Sequence, residues 1–211
     1  MQEISDAGLP HKGKKKNGEG KGVIDHSQPY YVDVEIVGDE DILFHRYDVQ
    51  AVEDSASAPK GSKKKKEDNL ESYVYRNDKN EIVMPGTNFK ASICAAAKFS
   101  QDPRSRQKSA KDLFRAGIKV KGDASFGKKD WDFVDARRCV IKQNAISRRR
   151  PGLRAGWTLT FRMLIILPEY ISEEWLQEVV ERAGKTCGLG DFRPDFGTFR
   201  ITSFKRVALK D

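Results

Sequence analysis

Seven basic side chains fall within one short stretch: Arg137, Arg138, Lys142, Arg148, Arg149, Arg150 and Arg154. A guanidinium is planar and offers parallel N–H donors, so it suits the paired oxygens of a phosphate. Residues 136–168 contain no Asp or Glu. No neighbour in sequence therefore neutralises these cations, which favours phosphate partners over a solvated tip held by weak surface ion pairs. The field is segregated along the chain. Residues 101–162 hold 17 Lys/Arg against 6 Asp/Glu, a balance of +11, while the remainder holds 22 against 25. Such a distribution suits a polyanion, and nucleic acid is the commonest one.

Two further stretches could bind. In "PGTNFK" a helix opens at Gly86 and Thr87, whose free amides would make an anion site, with Lys90 adding charge one turn in. An ordinary capped helix is the competing reading, with Thr87 as the N-cap. In "GLGDFRPDFGTFRI" the glycines Gly188, Gly190 and Gly197 permit close backbone approach or positive φ. Gly188 and Gly190 are the expected phosphate-binding backbone there. Phe192, Phe196 and Phe199 divide between wedging the loop onto a sheet and stacking a base, and Arg193 reaches a phosphate. That all three rings are core carries equal weight.

Catalytic sets are thin. His45, Arg46 and Asp48 cluster, but one His and one Asp do not make a metal-dependent nuclease, and a strand-end salt bridge is the simpler reading. There is no Walker loop, GxSxG or HExxH. The three cysteines are dispersed and the three histidines few, so neither metal nor cofactor is expected. No apolar run is long enough to span a membrane, and the N-terminus lacks a secretory h-region; a cytoplasmic protein is expected.

The elements that must position these residues follow from periodicity. Residues 30–37, "YYVDVEIV", alternate as a half-buried strand. "SYVYRNDKNEIVMPG" reads as a hairpin that pairs Tyr73 and Tyr75 with Ile82 and Met84. Phe89, Ile93, Ala96 and Ala97 recur at helical spacing, and Leu113 and Phe114 mark a shorter helix over 109–116. "RRCVIKQNAI" reads as a strand, "SRRRPGLRAG" as a turn or hairpin tip, and "WTLTFRMLIIL" as a central strand covered on both faces. Ser172 caps a helix that buries Trp175, Leu176, Val179, Val180 and Ala183. "FRITSFKRV" closes the chain as a last strand. Residues 1–28 form a disordered basic arm, and residues 29–211 one domain, with a flexible loop at 53–69 and a basic hairpin at 137–156. The fold class is α+β: a ferredoxin-like (RRM-like) βαββαβ antiparallel sheet with large loop insertions. In that topology an open sheet face can bind single strands.

"MPGTNFKASICAAAKF" and "GLGDFRPDFGTFRI" together resemble two elements of the RAMP superfamily of CRISPR effector backbone proteins: the motif at the first helix, and the glycine-rich loop before the last strand. The "DFRPxxGxFR" signature is also similar to small proteins encoded by bacteriophages. The resemblance spans residues 30–207. It implies a sequence-independent backbone protein for single-stranded nucleic acid, RNA favoured, that stacks head-to-tail into a filament. Two alternatives stay open: a phage single-strand annealing factor, and an endoribonuclease using Asp48, since some members of the resembled family keep an RNA-cleaving aspartate in this region.

Overall fold

A computed structural model gives the fold and describes residues 28–47, 69–141 and 144–207. The expected basic arm, most of the 53–69 loop, Asp48 and Lys142 lie outside the described residues. In chain order the strands are β1 (Tyr30–Gly38), β2 (Ile42–Leu43), β3 (Tyr75–Arg76) and β4 (Ile82–Met84). Helix α1 (Gly86–Ala96) follows, then β5 (Gln101–Asp102), β6 (Ser105–Ser109) and helix α2 (Lys111–Gly117). Next come β7 (Ile118–Lys121), β8 (Ala124–Ser125), β9 (Phe133–Ile141), β10 (Asn144–Leu153) and β11 (Thr158–Ile165). Helix α3 (Glu173–Thr186) and β12 (Phe199–Val207) complete the described chain.

The alternation of β1 buries Tyr30, Val32, Val34 and Ile36 on one face, while Asp33 and Glu35 take the other. β1 sits inside a four-stranded antiparallel sheet with the order β12-β1-β11-β7. Helices α1 and α3 pack against each other, and the core lies between them and this sheet. Phe89 of α1 stacks on Phe161 of β11 at 4.2 Å. Leu176, Val179, Val180 and Ala183 form the buried stripe of α3. Ser172 caps that helix by accepting the Trp175 N–H at 3.2 Å, with Glu173 and Glu174 in the first turn, where the helix dipole favours them. The protein is α+β, and through the four-stranded sheet its elements run strand, helix, strand, strand, helix, strand.

The details differ from expectation in four places. The second strand of that sheet is the four-residue β7, not the acid-free "RRCVIKQNAI". That stretch becomes β9 and the start of β10, which satisfy each other's backbone over a long ladder and take β2 on the free edge of β10, giving a separate three-stranded sheet. β11 is interior in the ladder, yet only one of its faces is covered: Thr158, Thr160 and Arg162 are exposed on the other, where Arg162 grips Asp33 through two bonds of 2.5 and 2.7 Å. In the first hairpin Tyr75 faces Val83 and Arg76 faces Ile82. Tyr73 lies instead in a 3₁₀ turn over Leu70–Tyr73, and the Asn77 side chain closes the short hairpin locally by accepting the N–H groups of Lys79 and Glu81. Finally, Pro85 and not Thr87 stands at the N-cap of α1. The Gly86 N–H finds its acceptor across the fold, on Asp123 Oδ1 at 3.1 Å, and helical backbone begins at Gly86, two residues earlier than a Thr87 cap would place it.

Candidate nucleic-acid interface

The arginines belong to a two-stranded ribbon. Along β9 and β10, Arg137 faces Arg148, Arg138 faces Ser147, Arg149 faces Ala136, and Arg150 faces Asp135. Directly opposed residues in an antiparallel pair share a face, and successive residues change face. Arg137, Arg148 and Arg150 therefore lie on one side of the ribbon, and Arg138 and Arg149 on the other. The expectation of a turn or hairpin tip that presents these arginines together is corrected here: the arginines of 148–150 lie on strand, and its period of two divides the charge.

Several cations are also neutralised within the protein. Arg150 is buried and donates from Nε to Asp191 Oδ2 at 2.9 Å. Arg154 donates to Asp41 Oδ2 at 2.8 Å, and Arg137 to Asp135 Oδ2 at 2.7 Å. The acid-free run misled because Asp191 and Asp41 come from elsewhere in the chain, 41 and 113 residues away. Arg149 is engaged as well, its carbonyl accepting from Arg150 Nη1. Among the described residues no carboxylate forms an ion pair with Arg138, which is exposed, or Arg148, which is half-buried.

The glycine-rich loop comes to the same side of the ribbon as Arg137. α3 ends where the Gly188 N–H returns to the Ala183 carbonyl at 2.9 Å, with φ of +65° at Gly188. The loop then closes on itself through Leu189 N–H to the Gly197 carbonyl at 2.9 Å. It is tied to β2 by Asp191 N–H to Leu43 O at 2.9 Å and to the residue before β2 by Gly197 N–H to Asp41 O at 2.8 Å. A Cβ on Gly190 would overlap the Leu43 carbonyl oxygen, so close approach to β2 is what requires glycine there. The expected phosphate-binding amides of Gly86 and Gly188 are thus already donated within the protein, while Thr87 is exposed.

The three phenylalanines separate by role. Phe199 is buried against α3. Phe192 and Phe196 are half-buried at the surface, and the Arg137 guanidinium lies over both rings, 5.6 and 4.4 Å from their centroids. Arg193 is exposed between them. Beneath the loop, Asp191 gathers several groups: Oδ1 accepts the Phe192 N–H at 3.0 Å, and Oδ2 takes Arg150 and stands 3.5 Å from His45 Nδ1. Tyr73 lies 4.6 Å from the Arg150 guanidinium and meets His45 edge-on at 5.3 Å. His45, considered above as a catalytic group, is part of this anchor. Among the described residues no group of three or more His, Cys, Asp or Glu is placed to hold a metal ion, and no helix is long and apolar enough to cross a membrane.

Asp191, Tyr73, Asp135 and Asp41 escape a reading of the sequence. Asp191 had one usable signal, its place inside the glycine motif. The structure does not bring Lys90 into this site; it lies half-buried on α1, which packs on α2 and α3.

No protein-family model matches the chain, and no curated protein matches it in sequence. Among solved structures it is similar to a chain in the cryo-EM structure of the Type III-B Cmr-beta bound to cognate target RNA, with a TM-score of 0.55 and 12% identity. The likeness covers 85% of this chain and 61% of the length of that one. At this identity it is a likeness of fold alone.

Proposed function

We propose that the protein binds single-stranded nucleic acid, RNA in preference to DNA, by its backbone and without sequence selection, as one subunit of a repeating assembly. The observation that carries this reading is the Arg137 guanidinium over the rings of Phe192 and Phe196 of the glycine-rich loop, with Arg148 opposed to Arg137 across β9 and β10. Guanidiniums take phosphates, and half-exposed aromatic rings take the face of any base, so the pair grips a strand without reading it. Arg193 at the loop and Arg138 on the far side of the ribbon extend the positive surface. The likeness of fold to a chain of an RNA-bound complex points to nucleic acid as the polyanion and to protein neighbours along it.

The test is fluorescence anisotropy with labelled single- and double-stranded RNA and DNA of mixed sequence across a salt series. Single-stranded RNA should bind best, and log affinity should fall linearly with log salt. Replacing Arg137 and Arg148 together with Ala should weaken binding for every sequence and reduce the salt slope by about 1.4, or about 0.7 for each lost phosphate contact. Lys79→Ala, in the turn of the β3–β4 hairpin, should change neither. A double variant with wild-type affinity and slope would refute this reading.

A further inference from the structure

A polar cavity of about 300 Å³ lies beside the ribbon, lined by Arg46, Asn69, Glu71, Ser72, Val74 and Arg76. A chain of contacts fixes its place. The 3₁₀ turn Leu70–Tyr73 packs on β10, and the Tyr73 ring lies 4.6 Å from the Arg150 guanidinium. The Tyr73 carbonyl accepts the Arg46 N–H at 2.8 Å. Arg150 and Arg148 share one face of β10 and stand two residues, about 7 Å, apart. A strand that leaves Arg148 along this face therefore meets the turn and its cavity next. The cavity offers two kinds of partner. The Arg46 guanidinium lies over the Tyr75 ring at 5.4 Å, and among the described residues no carboxylate pairs with it. The Glu71 carboxylate is held in place: Oε1 accepts from Arg76 Nε and Oε2 from Nη2 at 2.9 Å. Arg76 is itself fixed, since its Nη1 donates to the carbonyls of Asn80 at 2.9 Å and Lys129 at 2.6 Å. The hydrogen bond from Arg76 keeps the Glu71 carboxyl below its ordinary range, so it is an acceptor at neutral pH. Its side chain is 53% exposed, and each carboxylate oxygen can accept a second bond. Ser72 Oγ gives its proton to the Asn69 carbonyl at 2.7 Å, which leaves the hydroxyl oxygen as an acceptor too. The matching ligand carries an anion for Arg46 and a hydroxyl donor for Glu71 and Ser72, and a ribose phosphate carries both.

We propose that this cavity holds one ribose-phosphate unit of the bound strand, with Arg46 on the phosphate and with Glu71 and Ser72 accepting from the 2′-hydroxyl. This rests on the reading that the protein binds a single strand, and it gives the preference for RNA a source in named residues. The ribbon and the phenylalanine rings take phosphates and base faces, which RNA and DNA share. The 2′-hydroxyl is the group that differs, and a fixed carboxylate is a strong acceptor for it.

Fluorescence anisotropy of the full chain with labelled strands of one mixed sequence tests it. The strands are RNA, its deoxyuridine-containing DNA counterpart, and 2′-fluoro RNA, which keeps the ribose pucker but has no 2′-hydroxyl proton to donate. Wild-type protein should hold RNA about tenfold more tightly than either of the others, the low end for one hydrogen bond to a charged group. Glu71→Ala should weaken RNA binding by that factor and bring the three strands together. Ser72→Ala, which leaves the Arg76–Glu71 pair in place, should narrow the RNA-to-DNA ratio in the same direction. Arg46→Ala should lower the salt slope by about 0.7 for RNA and DNA alike. If Glu71→Ala keeps the wild-type ratio, if 2′-fluoro RNA binds wild-type protein as tightly as RNA does, or if Arg46→Ala keeps the wild-type slope, the cavity assignment is wrong; a weakened Arg137/Arg148 variant then leaves the ribbon site standing. Equal affinity of wild-type protein for RNA and DNA overturns the cavity and the RNA preference but not the ribbon, and no binding at all overturns everything.

Discussion

Arg150, 2% exposed, donates to Asp191 at 2.9 Å and so fastens the glycine-rich loop to β10. A buried guanidinium is tolerated because Asp191 supplies charge, the Arg149 carbonyl accepts from Nη1, and the Tyr73 ring covers the cation. The same bond takes Arg150 away from any ligand and leaves on that face of the ribbon Arg148 and the exposed Arg137, whose Nε is bonded to Asp135. The anchor and the binding groups thus occupy alternate tasks on one strand pair.

Removing the carboxylate should therefore be a stability defect first. Asp191→Ala leaves Arg150 buried without its counter-charge and should cost about 3 kcal/mol, the low end for a broken buried pair because Asp191 itself keeps some exposure. Differential scanning calorimetry should show a melting temperature lower by roughly 6–12 °C. Arg150→Met in the same background should recover part of that loss, and a double variant as unstable as Asp191→Ala alone would show that the pair is not the anchor.

Gly197 should tolerate no side chain. Its φ is +74°, and a Cβ would overlap the carbonyl oxygen of Leu189, a backbone atom that is itself held in the loop. Gly197→Ala is expected to lose about 2–3 kcal/mol from left-handed strain and overpacking. The urea midpoint is the measurement, and an unshifted midpoint would mean that the loop rearranges at little cost.

Stacking and charge should separate in binding data. Phe196→Ala removes the ring nearer to Arg137, at 4.4 Å, and should weaken single-stranded RNA binding by about 1–3 kcal/mol with an unchanged salt slope. Arg137→Ala should do the reverse in kind, reducing the slope by about 0.7. Equal slope changes in the two variants would contradict this division.

Acid sensitivity should come in part from Asp102. Arg104 donates to its carboxylate from Nε at 2.9 Å and Nη2 at 2.8 Å and also from its backbone N–H, and these bonds hold the carboxyl down at about 2 from its ordinary 3.8. The folded state thus resists protonation that the unfolded chain accepts. Its contribution is complete above about pH 4 and is lost as the pH falls through about 2. Melting temperatures followed over that window should fall less steeply for Asp102→Asn than for the natural protein; parallel curves would exclude Asp102 as a source.

The helices and the long strands were legible because their signals are local. Val32, Val34 and Ile36 alternate within β1, and Phe89 and Ile93 recur at helical spacing in α1, so neighbouring residues report the buried face. Ser172 announces α3 through its own hydroxyl. β7 went unread because four residues carry too little periodicity, and the ribbon's arginines looked like a tip because Pro151 and Gly152 imitate a turn while lying on β10.

From the sequence alone come the α+β class, the order of its main elements, the concentration of positive charge in residues 101–162 and the glycine-rich loop before the last strand. Which arginines stay available for a ligand was decided by the tertiary structure. Asp191 reaches Arg150 across 41 residues and Asp41 reaches Arg154 across 113. Periodicity is a property of adjacent residues, whereas neutralisation depends on two charges arriving within a few ångströms, and only the folded path of the chain sets that distance.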